Sequence, residues 1–201
     1  MEGGKLTPDM LDSRGNRESG WEEGGKRGGF NYIPPLKGWK GFGLNVWDKY
    51  DEGNNDWLAH DGNSNEWAVA YHGIGTKAGS KVEDAARKIY KGQKFIVGGG
   101  QACQSHNNIN KRYKFDPKVD KENHTKKVGI GVYCSPNPDV MEEYAGYADE
   151  KAKINGKKYL LGFMMRVKPD KVRISESVPD YWVLDGTTKE MRPYRLMIKE
   201  C

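Results

Sequence analysis

Residues 131–144 read GVYCSPNPDVMEEY, and the reading of this run decides the fold. VGIGVYC, ending at Cys134, has the apolar character of a strand. Pro136 and Pro138 then punctuate a turn. Asn137 is placed to cap a helix whose first position is Pro138, where a missing N–H costs nothing. Val140, Met141, Tyr144, Ala145 and Ala148 fall on one face of that helix and form its inner stripe. A tyrosine stands on each side of the corner, Tyr133 before it and Tyr144 after it.

Working outward, EWAVAYH at 66–72 alternates Trp67, Val69 and Tyr71 against Ala68, Ala70 and His72, the period of a strand. The loop GIGTKAG follows. Ser80 and Glu83 make a capping box for a helix with Val82, Ala85, Ala86, Ile89 and Tyr90 on one side and Gly92 as its stop. KFIV reads as a short strand running into Gly98, Gly99 and Gly100. Residues 101–127 are polar and basic with little periodicity, and read as a loop insertion. Downstream, YLLGFMMRV is apolar enough for a central strand. KVRIS, YWVLD and YRLMI are further strands, the last two flanking GTTKEMRP, a loop that suits an antiparallel hairpin. Many strands and few helices predict an α+β fold with a mixed or antiparallel sheet core.

Hydrophobic residues at 36% and aromatics at 11% of 201 residues suffice for one core. The expected organisation is a flexible, glycine- and charge-rich tail over 1–29 and a single domain over 30–201. Within that domain, 30–65 is an aromatic-rich N-terminal extension. The three cysteines, Cys103, Cys134 and Cys201, make no disulfide framework. The opening MEGGKLTPDMLDSRGN lacks the layout of a secretory leader. Both point to an intracellular protein of cytoplasm or nucleus. No apolar run has membrane-spanning length, so no membrane partner is expected. A net charge of +5 permits an anionic partner without demanding one.

Three groups of residues invite chemistry. Gly73-Ile-Gly75-Thr-Lys-Ala78 matches the dinucleotide fingerprint G-x-G-x-x-A, but no acid follows at the ribose position and the βα alternation does not continue. Cys103, His106, His124 and Cys134 are sulfur and imidazole ligands whose spacing fits no compact zinc module, and no metal is expected. The third group is His72-Gly73 at a strand end, Tyr133 at another, Tyr144 on a helix, and Asp180 before YWVLDG. Plainer readings stand beside it: a strand-terminal structural histidine, a core tyrosine, a helix-stripe tyrosine, and a turn aspartate following Pro179.

Taken together, YHG at 71–73, GVY at 131–133, Tyr144 eleven residues later, DYWVLDG and RPYRLMI resemble the catalytic domain of the poly(ADP-ribose) polymerase-like ADP-ribosyltransferases. The motifs stand in the family's order over roughly residues 66–201. The resemblance implies the split-sheet ADP-ribosyltransferase fold. It also implies NAD as co-substrate, and transfer of ADP-ribose to a protein or nucleic-acid acceptor with release of nicotinamide. By that resemblance Tyr133 and Tyr144 sandwich the nicotinamide, a flat cation that an aromatic face attracts by roughly 0.5–2 kcal/mol. Gly73 holds the carboxamide through its backbone, and His72 holds the adenine-side ribose. Asp180 takes the place of the family's glutamate. One methylene shorter, it predicts mono-ADP-ribosylation rather than polymer synthesis. A register slip puts Tyr181 there instead, and Glu190 is a further acidic candidate. Met141 stands where many members carry a small hydroxyl residue against the nicotinamide amide. A thioether is a poor substitute, which leaves open a catalytically inactive module of the same fold, binding a partner or ADP-ribose. An acceptor protein is the expected partner. The basic run Lys111, Arg112, Lys114, Lys118, Lys121, Lys126 and Lys127 admits nucleic acid, or is a solvated loop.

Overall fold

The computed structural model describes residues 7–18, 25–35, 37–62, 65–75, 81–92, 131–174 and 179–201. In chain order the strands are β1 (Gly25–Arg27), β2 (Phe30–Tyr32), β3 (Trp39–Gly43), β4 (Ala68–Gly73), β5 (Val132–Cys134), β6 (Ala152–Ile154), β7 (Lys157–Val167), β8 (Arg173–Ile174), β9 (Trp182–Leu184) and β10 (Met191–Glu200). The α-helices are α1 (Val82–Tyr90) and α2 (Pro138–Gly146). The fold is α+β, with antiparallel pairing throughout the described strands.

The larger sheet runs β3-β10-β7-β4, with β6 also paired to β7. The apolar run expected at its centre is β7, held between β10 and β4. The smaller sheet runs β5-β9-β8. Among the described residues, one bridge joins the two sheets, Tyr71 opposite Ser135. β9 and β10 therefore do not form the expected hairpin. Trp182 and Leu184 pack in the larger core while pairing with β5, and the loop 185–190 carries the chain from one sheet to the other.

Side-chain alternation divides the core into two. Ala68 and Ala70 of β4 join Leu161, Phe163, Met165 and Val167 of β7 under Val82, Ala86 and Ile89 of α1. On the opposite face, Val69 and Tyr71 join Met164 and Met197 under Met141 and Ala145 of α2.

The tail expected over 1–29 is corrected where the chain is described. Met10 is buried, and residues 7–18 run beside the outer edge of β3, with Arg17 and Gly41 exchanging both peptide hydrogen bonds at 2.8 and 2.9 Å. Gly15 and Gly28, whose residue type suggests flexibility, are needed for close approach instead. A Cβ on Gly15 would lie 2.7 Å from Gly43 Cα, and one on Gly43 would lie 2.3 Å from the Asp12 carbonyl oxygen. Gly28, at φ +55°, is similarly wedged against the backbone of Glu66 and Ala68.

Candidate functional site

The site grows out of the place where β4 and β5 part. Tyr71 and Ser135 exchange both peptide hydrogen bonds, at 2.7 and 3.0 Å. In an antiparallel ladder the next such exchange falls two residues on, which would pair Gly73 with Tyr133. It does not form. The Tyr133 carbonyl instead accepts from His72 Nδ1 at 2.8 Å. On the other side of β4, His72 pairs with Phe163, and Ile74 N–H donates to the Leu161 carbonyl at 3.0 Å. Strand alternation then turns the Gly73 N–H and C=O away from β7 and into the gap. Gly73 is buried, and among the described residues neither group has a partner. A buried peptide in this condition costs about 1–3 kcal/mol for each unmet group. A planar amide, carrying one donor and one acceptor, can meet both.

Helix α2 roofs that gap. It begins where the sequence predicts, with Asn137 Oδ1 accepting from Asp139 N–H at 3.0 Å and Pro138 in the first turn. Gly73 and its β7 neighbour Gly162 form a trough beneath it. A Cβ on Gly73 would stand 2.2 Å from the Met141 carbonyl oxygen and 2.7 Å from Tyr144 Cβ, and one on Gly162 would stand 2.5 Å from Met141 Sδ. Tyr144 is thereby rooted over the open Gly73 peptide, and the edge contacts of Tyr181 and Tyr147 hold its ring, with centroids 6.2 and 6.4 Å away. Val132 and Cys134 point into the α1-side core, so Tyr133 between them points to the α2 side. Tyr133, Gly73 and Tyr144 thus share one face of the split.

His72 lies beside the gap. A carbonyl only accepts, so Nδ1 carries the proton. Burial holds the imidazole below its ordinary pKa, against the smaller opposing pull of the Tyr133 carbonyl. The neutral ring therefore presents Nε2 as an acceptor, the polarity that suits a hydroxyl donor.

Of the acidic candidates, Asp180 sits just before β9, half-buried, and its Oδ2 accepts from Asn137 Nδ2 at 3.1 Å. That bond brings it to the N-terminal end of α2. Tyr181, the alternative at that position, is 2% exposed, and its ring packs edge-on against Tyr144. Glu190 accepts from Asp185 N–H at 3.0 Å and closes the loop between β9 and β10. Met141 is 1% exposed, and its thioether lies over Gly162, in the core beneath α2.

The G-x-G-x-x-A run opens from an antiparallel sheet, not from the parallel sheet a dinucleotide fingerprint needs. Burial pushes the Cys134 thiol pKa up, keeping it protonated. Cys103, His106, His124, Ser80, Gly98–Gly100 and the basic run over 111–127 lie outside the described residues. The sequence matches no protein-family model, and no curated protein is significantly similar to it.

Two contributions were not legible from motifs. The amide of Asn137 reads as a helix cap alone until β9 is seen beside it. The Ile33 carbonyl accepts from Tyr71 Oη at 2.7 Å, while Ile33 N–H donates to the Pro136 carbonyl at 2.9 Å. The N-terminal extension thus straps β4 to the corner. Only the density of aromatics in 30–65 hints at it.

Proposed function

We propose that this chain is an NAD-dependent mono-ADP-ribosyltransferase of the poly(ADP-ribose) polymerase-like type. The observation that carries the reading is the buried peptide of Gly73, without a partner among the described residues, at the parting of β4 and β5, with Tyr144 rooted over it and Tyr133 on the same face. The nicotinamide carboxamide completes the broken ladder, donating to the Gly73 carbonyl and accepting from its N–H. The cationic ring lies against the tyrosines. His72 Nε2 accepts from a ribose hydroxyl.

In the reaction the bond between the ribose C1′ and the nicotinamide nitrogen breaks. Its electron pair neutralises the pyridinium, and C1′ becomes oxocarbenium-like. The acceptor's lone pair then bonds to C1′, and the acceptor releases its proton to solvent water. Asp180, as carboxylate, accepts from the neighbouring ribose hydroxyl and offsets the developing positive charge. Its short side chain suits transfer of a single unit.

Incubation with labelled NAD, followed by mass spectrometry of the protein and its partners, tests this reading. Free nicotinamide and a covalent ADP-ribose adduct are expected. Tyr133→Ala should abolish both while the protein stays folded; undiminished turnover in that variant would falsify the site. The buried Met141, with no hydroxyl to offer the carboxamide, favours a second reading: an inactive module binding a partner or ADP-ribose. Calorimetry with a non-hydrolysable NAD analogue separates the two. Binding together with turnover supports the transferase, and an absence of both supports the inactive module.

A further inference from the structure

The corner between β5 and α2 is built as a chain of single, determined hydrogen bonds. Ser135 is fully buried and its peptide is fixed to Tyr71 of β4. Ser135 Oγ accepts from Asn137 N–H at 2.9 Å. Asn137 Oδ1 accepts from Asp139 N–H at 3.0 Å. A side-chain amide has one oxygen and one nitrogen, so this cap settles which way the amide is turned. Nδ2 must point to the other side, and there it meets Asp180 Oδ2 at 3.1 Å. A carboxylate only accepts, so donor and acceptor are both fixed. Among the described residues this is the side-chain hydrogen bond Asp180 makes.

We infer that Asn137 is a positioning residue for the acid: its amide ties the Asp180 carboxylate to the first turn of α2, the helix that also carries Tyr144. This rests on the transferase reading above. Its consequence is that acid and nicotinamide-facing tyrosine are set by one rigid element, since Asp180 itself lies outside the paired part of β9. An aspartate on a turn has several rotamers open to it. The Asn137 donor selects the one that faces α2. A misplacement of about 1 Å at a reacting centre costs up to 100-fold in rate, so the bond carries weight in turnover without touching NAD.

Asn137→Asp isolates this role. Aspartate caps a helix as well as asparagine, so the cap to Asp139 persists, but an oxygen replaces the donor facing Asp180. Two carboxylates sharing a site resist ionising together. We expect kcat for NAD cleavage at neutral pH to fall about tenfold, with KM for NAD within about twofold. The acid limb of the pH–rate profile should move to higher pH. Asn137→Ser also keeps a cap but adds no charge; kcat should fall while the acid limb stays in place. Both variants should melt within about 4 °C of the parent, the shift of a 1 kcal/mol change in a domain of this size. A carbon-13 titration of the Asp180 carboxyl reads the same contact without turnover, and its midpoint should rise in Asn137→Asp. Parental rate and pH profile in Asn137→Asp, or an unmoved Asp180 titration, would overturn the inference. A midpoint that rises in Asn137→Asp, with a parent that never consumes NAD, would sink the transferase reading and leave the Asn137–Asp180 contact standing.

Discussion

The two faces of β4 are made from the same strand and put to opposite uses. Toward α1, Ala68 and Ala70 meet a tier of large apolar side chains from β7, and the layer is filled by side chains alone. Toward α2, the strand ends in Gly73 beside Gly162, and the helix backbone itself comes down onto the sheet. A layer built from side chains is closed and stable. A layer in which backbone meets backbone leaves the Gly73 peptide without a partner among the described residues, the place to which the proposed function assigns the carboxamide. On that proposal stability and recognition are allotted to different sides of one sheet.

The sharpest way to break this division is Phe163→Ala on the α1 side. Phe163 is fully buried, and its truncation should cost about 3–5 kcal/mol, read by denaturant unfolding. The affinity of the remaining folded protein for a non-hydrolysable NAD analogue should be nearly unchanged. If affinity falls in step with stability, the two faces are not separate.

On the α2 side, Gly162→Ala and Gly73→Ala should each cost about 1–3 kcal/mol by overpacking. They differ in what they strike. The added methyl at Gly162 meets the Met141 thioether, and the one at Gly73 meets the Met141 carbonyl. Met141→Val should therefore relieve Gly162→Ala, with a favourable coupling of about 0.5–2 kcal/mol in a double-mutant cycle, and should leave Gly73→Ala unrelieved. Equal rescue of both would mean that α2 is free to slide.

The smallest effect is the pH dependence contributed by His72. Its folded pKa lies below the ordinary 6.5 because burial disfavours the imidazolium. The unfolded chain then binds more protons, so this contribution is intact above 6.5 and is lost as pH falls below it. His72→Asn keeps a donor for the Tyr133 carbonyl without the titration, and should flatten stability just below pH 6.5. The loss due to Asp51, whose pKa the Arg192 guanidinium holds below the ordinary 3.8, comes at lower pH and should remain.

What the sequence disclosed follows from how local each signal is. The Asn137–Pro138 cap and the apolar run of β7 are written in a few adjacent residues, and both stand where expected. The hairpin expected between YWVLD and YRLMI fails because loop length says nothing about which sheet each strand joins. The glycines of the N-terminal segment were legible as glycines, but their close contacts with residues some thirty positions away were not. The site shows the same limit. His72, Gly73, Tyr133 and Tyr144 are recognisable as types at their spacing. That the Gly73 peptide meets no β5 partner among the described residues follows only from the register between β4 and β5, which is a single bridge at Tyr71 and Ser135.

The strand order carries a consequence for how the molecule comes into being. β3 and β7 are separated by more than a hundred residues and are joined in the sheet only through β10. Chain order puts β10 after both of its sheet neighbours, so β3 and β7 cannot be joined until β10 itself has been made. With so many distant pairings the chain should fold slowly.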